Sequence, residues 1–274
     1  MEGRVKGKKA IVTGTAAGIG SVLALALARE GADVAVADIC KDQSHTPIPG
    51  GKMEDLQLLA DEIRSLGRKA LPIQCDVSKA DDVERMVEMA TSEFGGIDIL
   101  VNNAAVISSA PLVDLSEEKW DLVMDVNLKG PFLCCKFVLP HMITQKAGKI
   151  VNMGSVSGRD GDPYMVHYCS SKAGVHMLTN SLSKEVAKYN INVNCIAPGT
   201  VFGTNMVDWS MGSKAVDEKE ARKRYLEYMK KRYTLGRELT PEDLANTMLF
   251  LVSEDSRNLT GYTIYVDGGH KGVA

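Results

Sequence analysis

The chain has 274 residues, 45% of them apolar and 24% charged, with 32 basic and 35 acidic side chains giving a net charge of −3. Such a balance provides one sizeable core without disulfides or metals, and nothing global points to nucleic acid or an anionic membrane. No apolar run reaches membrane length, and the start, "MEGRVKGKKAIVTG", is too short in apolar residues for a signal peptide. The six cysteines (Cys40, Cys75, Cys134, Cys135, Cys169, Cys195) contain no Cys-x-x-Cys pair, so reduced thiols in a cytoplasmic protein are expected.

Along the chain, short β-branched runs alternate with longer amphipathic ones. "KAIVTG" predicts a strand, Ile19 to Glu30 a helix and "DVAVAD" a second strand. A helix over "MEDLQLLADEIRSLG" stops at Gly67, and "KALPIQCDV", a helix from Ala80 to Phe94 and "IDILVNNAA" continue the rhythm. A long helical stretch then runs from Ser116, a candidate N-cap, to about Ile143. The strand "GKIVNMGS", a helix over Tyr168 to Tyr189, the strand "INVNCIAPG", a helix over Pro241 to Val252 and the strand "GYTIYVDGG" complete it. Regular alternation predicts one Rossmann-like, doubly wound α/β domain over 1–274, with a parallel sheet covered on both faces. Two segments break the pattern: a polar Pro/Gly-rich loop at about 40–52 and a stretch at about 200–237 long enough for a substrate lid.

"TGTAAGIG" places Gly14, Gly18 and Gly20 between the first strand and the first helix. There the backbone can turn tightly and approach a pyrophosphate at a helix N-terminus. Asp38 ends the second strand, where a carboxylate accepts hydrogen bonds from the adenosine ribose and repels a 2′-phosphate, so NAD is favoured over NADP. Further on, "YCSSK" puts Tyr168 and Lys172 on one helical face, four residues apart. A phenol with a pKa of about 10 is a poor proton carrier at neutral pH, and a fixed ammonium beside it lowers that value. Ser155, after the fifth strand, is placed to bind a substrate oxygen.

In this order the motifs resemble those of the short-chain dehydrogenase/reductase family over almost the whole chain: "TGTAAGIG", Asp76 in "CDV", "NNAA" at 102–105, Asn127 in "DVNLKGP", Ser155, Tyr168 with Lys172, "APG" and the closing strand. Ala105 departs from the family's glycine at that place, and Gly203 adds a residue before Thr204. The resemblance implies a homo-oligomer, commonly a tetramer, using its longest helices as interfaces. It also implies a cofactor site of Gly14, Gly18, Ile19, Gly20, Asp38, Asp76, Val77, Asn103, Ala104, Tyr168, Lys172, Pro198, Gly199, Val201 and Thr204. Tyr168 would be the general acid/base and Lys172 would lower its pKa. Ser155 would polarise the reacting oxygen, and Asn127 would hold a water linking Lys172 to solvent.

The implied reaction is hydride exchange between NAD and a secondary alcohol or ketone. A 3-oxoacyl thioester or other activated-carbonyl reductase is the alternative, and a non-catalytic dinucleotide sensor is a second. Ser155, Arg159, Met206 and Trp209 are candidate substrate contacts, Arg159 for an acidic group. Residues 37–56, "ADIC", the loop through residue 52 and "EDL", also resemble a carveol-dehydrogenase-like subgroup with an insertion at this place, some members of which hold NAD tightly. His167 projects about 100° away from Tyr168 on a helix, which suits packing. His45, His141, His176 and His270 show no metal-ligand spacing, so no metal is expected.

Overall fold

In the computed structural model, which describes residues 3–206 and 217–271, seven strands form one all-parallel sheet. They are β1 (Lys9–Thr13), β2 (Asp33–Asp38), β3 (Ala70–Gln74), β4 (Ile99–Asn102), β5 (Gly148–Met153), β6 (Ile191–Pro198) and β7 (Thr263–Val266). Their spatial order is β3-β2-β1-β4-β5-β6-β7, so the chain winds one way through β3 and then crosses to the other side of β1. A crevice opens at the carboxyl ends of β1 and β4, where the winding reverses, and ligands of such sheets sit there.

Strand alternation sorts the apolar side chains into two layers. Ala10, Val12, Val34 and Val36 face one cluster, while Ile11, Ala35 and Ala37 face the other. Helices α1 (Gly18–Arg29), α2 (Met53–Ser65), α7 (Glu218–Arg232) and α8 (Pro241–Val252) cover the first face. Helices α3 (Ala80–Phe94), α4 (Glu117–Met124), α5 (Gly130–Gln145) and α6 (Val166–Val186) cover the second.

Local chemistry sets the helix limits. Ser116 caps α4 by accepting from the Lys119 amide at 3.4 Å, and Gly95 ends α3 in the left-handed region at φ 78°. Thr240 and Asp243 form a capping box ahead of α8, with Pro241 at its first position. The long helix expected from Ser116 is interrupted at Asp125–Lys129 by a π-helical turn, which carries Asn127. Such turns are single-residue expansions of a helix and recur at functional sites.

One polar chain crosses the core. Asn102 Nδ2 on β4 donates to Asn152 Oδ1 on β5 at 2.8 Å, and Asn152 Nδ2 donates to Thr179 Oγ1 on α6 at 2.9 Å. All three side chains are buried. All six cysteines are free, and among the described residues no helix is long and apolar enough to cross a membrane.

Candidate active site

The crevice is a cleft of about 410 Å³ running from the start of α1 to the end of α7. At its first end, α1 starts at Gly18 with Ala17 as its N-cap residue, which supplies no side-chain acceptor, and no acid lies in the first turn. The amides of that turn are thus left to a ligand. Gly18 stands at φ +63° with nothing within 4 Å of the place a Cβ would occupy. Gly14, at φ +70°, lies so close to β4 that a Cβ would sit 2.6 Å from Ala104 Cα. Gly20 does not line the cleft; it packs α1 onto the loop, where a Cβ would fall 2.0 Å from the Gly14 carbonyl oxygen. Asn103 braces the same loop, its Nδ2 donating to the carbonyls of Thr13 and Gly14 at 2.9 Å each.

Asp38 marks the outer limit of this end. Its carboxylate accepts from the Ala16 amide at 3.0 Å and the Cys40 amide at 3.1 Å while still facing the cleft. Ile19, Asp76, Val77, Asn103, Ala104, Pro198, Gly199, Val201 and Thr204 line the remainder. An uncapped helix start, an open left-handed glycine and a carboxylate at the end of β2 together fit a dinucleotide: phosphates at α1 and the adenosine ribose at Asp38.

At the inner end, Ser155, Tyr168 and Lys172 all line the cleft and all are buried. Burial pushes the Tyr168 phenol up to about 12, and a hydrogen bond with Ser155 works the other way. Burial draws the Lys172 amine down to about 8. Its Nζ donates to the Met153 carbonyl at 2.8 Å and stands 5.7 Å from the Tyr168 ring centroid. Desolvation is thus the larger influence on the phenol here, and the Lys172 amine is turned to a backbone carbonyl. The phenol is held protonated, as a donor.

Asn127 lies behind the cleft wall rather than in it. Its Oδ1 accepts from the Val106 amide at 2.8 Å, and its Nδ2 donates to the Val106 carbonyl at 2.9 Å and to Ser171 Oγ at 3.3 Å. Both amide hydrogens of Asn127 are used in these bonds. His167 is fully buried, and its Nε2 pairs with Ser108 Oγ at 2.7 Å, a packing role as the sequence suggested.

A family model described as enoyl-(acyl carrier protein) reductase matches residues 14–271. The chain is 40% identical to 3-oxoacyl-[acyl-carrier-protein] reductase FabG of Thermotoga maritima over 97% of this chain and 98% of that protein. Among solved structures, carveol dehydrogenase from Mycobacterium avium in complex with NAD superposes with a TM-score of 0.90 at 32% identity, covering 97% of this chain and 98% of that one. NAD+-bound xylitol dehydrogenase does so with 0.85 at 29% identity, covering 97% and 100%. The protein is a short-chain dehydrogenase/reductase.

As a short-chain dehydrogenase/reductase it is an oxidoreductase of the nicotinamide dinucleotides. Met206 lines the cleft, with its Sδ 3.9 Å from the Tyr168 hydroxyl. Trp209, like Val207 and Met211, lies outside the described residues. Arg159 does not line the cleft: its guanidinium closes as a fork on Asp160 at 2.9 and 2.7 Å and stacks 4.2 Å from the Tyr265 ring. The two described ends of the 200–237 segment are tied to each other. Tyr225 Oη donates to the Thr200 carbonyl at 2.8 Å, and Tyr233 Oη accepts from the Thr200 amide at 3.1 Å.

Sequence reasoning missed several lining residues. Thr46, Ile48, Pro49, Gly50 and Gly51 of the inserted loop line the cleft, with Thr46 Oγ1 bonded to the Ile107 carbonyl at 2.9 Å. In the sequence only the loop's length and its place after Asp38 point to the cleft. Asp162, Tyr228, Arg232 and His270 were also passed over. Arg232 sits in a run of basic residues that reads as a solvated helix face, and nothing local distinguishes it.

Proposed function

We propose that the protein interconverts a ketone and its secondary alcohol at Tyr168, with NAD as the preferred cofactor. The observation that carries this reading is the shared cleft: a buried, protonated phenol beside Ser155 and Lys172 at one end, an uncapped helix start and Asp38 at the other. When bound, the dinucleotide supplies or accepts the hydride. Ser155 positions the substrate oxygen and Tyr168 hands it a proton, or takes one in the oxidative direction. Lys172 binds the nicotinamide ribose and keeps positive charge near the phenol. Asp38 supports NAD through the charge it would set against a 2′-phosphate.

Within this chemistry the curated relatives, named as 3-oxoacyl-[acyl-carrier-protein] reductases, favour an activated 3-oxoacyl carbonyl over a free secondary alcohol. The likeness to carveol dehydrogenase in complex with NAD supports the free alcohol as a second reading. Rates with acetoacetyl thioesters, cyclic terpenols and polyols, each with NAD(H) and NADP(H), separate the two. Turnover of a thioester at least tenfold above every free alcohol or ketone selects the first reading, the converse selects the second, and turnover of neither defeats both. Exposed Phe132 on α5 and Met177 on α6 support assembly through these helices, and a monomer mass in light scattering would refute it.

A further inference from the structure

We infer that Arg232 is a specificity-determining residue that binds a carboxylate on the ketone or alcohol substrate. This rests on the reading of the cleft as a carbonyl/alcohol site. Arg232 ends α7 and lines the cleft with its guanidinium partly exposed there. Its backbone is fixed, since the Lys271 amide donates to the Arg232 carbonyl at 3.0 Å and Tyr233 bridges to His270. Its side chain lies 5.6 Å from the Tyr228 ring.

The partners of the guanidinium hold it without filling it. Nη2 lies 3.5 Å from His270 Nε2 and 3.6 Å from Asp162 Oδ1. Charge-assisted N–H···O bonds close to about 2.7–2.9 Å, so both contacts are loose. Asp162 is committed elsewhere through its other oxygen, which accepts from Ser157 Oγ at 2.6 Å. Among the described residues, Arg232 Nε and Nη1 take no hydrogen-bond partner. Arg159 in the same neighbourhood is the contrast: its fork is already closed on Asp160.

His270 stands between Asp160 and Arg232: its Nδ1 pairs with Asp160 Oδ2 at 2.8 Å, where the carboxylate accepts, and its Nε2 faces Arg232. Asp160, held by the Arg159 fork well down in the carboxylate range at about 2, stays charged and keeps His270 turned that way. Arg159, Asp160 and His270 thus form a wall on the Nη2 side of Arg232, leaving its in-plane Nε and Nη1 hydrogens to be offered to a carboxylate. Asp162 joins this wall to the reacting centre: its charge acts on the Tyr168 phenol and it contacts Arg232. Arg232, Asp162 and Tyr168 line one cleft, which is the ground for assigning the carboxylate to the molecule whose carbonyl meets Tyr168.

The test measures binding to the enzyme–NADH complex by NADH fluorescence, for acetoacetate, levulinate and the next longer oxo acid, each against its methyl ester. In wild type at least one acid binds tenfold or more tightly than its ester. In Arg232→Leu that preference falls to within twofold, with NADH affinity unchanged as the check on folding. Arg232→Lys keeps the charge but not the fork and recovers only part of it. Equal binding of acid and ester by wild type, or a preference that survives in Arg232→Leu, overturns the inference. Turnover is read separately: no NADH oxidation with any ligand defeats the catalytic reading, while the binding ratio still decides the role of Arg232.

Discussion

The two ends of the cleft are built in different ways. The phosphate part of the nucleotide end is made of backbone, helix amides and glycines at positive φ within residues 14–20, with Asn103 as a brace and the Asp38 carboxylate beside it. The substrate end is made of side chains drawn from residues 155 to 270, linked through ion pairs and stacked rings. A backbone site depends on where glycine is allowed and tolerates little change. A side-chain site is rebuilt by single substitutions, which suits the part of the enzyme that selects substrates.

The largest effect falls on the chemistry between the two ends. Tyr168→Phe removes the proton donor but no nucleotide contact made by backbone, so turnover should fall by roughly 10²–10⁴ while NADH binding persists. Wild-type rates in this variant would dissolve the division between the ends. Next is Gly14→Ala, which forces a Cβ to 2.6 Å from Ala104 Cα at φ +70°. The strain should cost roughly 1–3 kcal/mol, seen in the denaturant midpoint and in weakened NAD binding. An unaffected protein would show that the loop has slack.

The pH dependence sharpens the comparison. With the phenol pushed up to about 12, Tyr168 is protonated through the neutral range. Ketone reduction, which uses the protonated form, should show little pH dependence from 6 to 8. Alcohol oxidation needs the phenolate and should climb steadily with pH over the same range, as kcat/KM profiles in both directions would reveal. An oxidation profile already level at neutral pH would mean that the bound dinucleotide and Lys172 reverse the effect of burial. The smallest effect concerns cofactor choice: Asp38→Asn removes charge but keeps the side chain's size, and should raise the NADP-to-NAD preference by about tenfold, or 1.4 kcal/mol.

The same contrast explains what could be read from the sequence. β2, α3 and α8 span the predicted residues because strand alternation, caps and glycine stops are local signals. The all-parallel sheet followed from alternation alone. The glycine loop, Asp38, Ser155, Tyr168 and Lys172 were legible as contiguous motifs and do meet in one cleft. The π-helical turn at Asp125–Lys129 was not, since its residues show no break in helical pattern. Arg159 looked the better anion site by proximity in sequence, yet Asp160, its immediate neighbour, captures it. Arg232 and His270 come together only through the pairing of the chain's last described residues with the end of α7. Such long-range contacts leave no periodic trace.

The amide pair Asn102–Asn152 lies one residue before two parts of the site: Asn103, which braces the glycine loop, and Met153, whose carbonyl takes Lys172. Sliding β5 by a single position against β4 would strand both amides in an apolar interior, at a cost of roughly 1–3 kcal/mol for each group left without a partner. The pair therefore acts as an alignment pin: the spacing between dinucleotide loop and proton donor is gauged inside the sheet, before any ligand arrives.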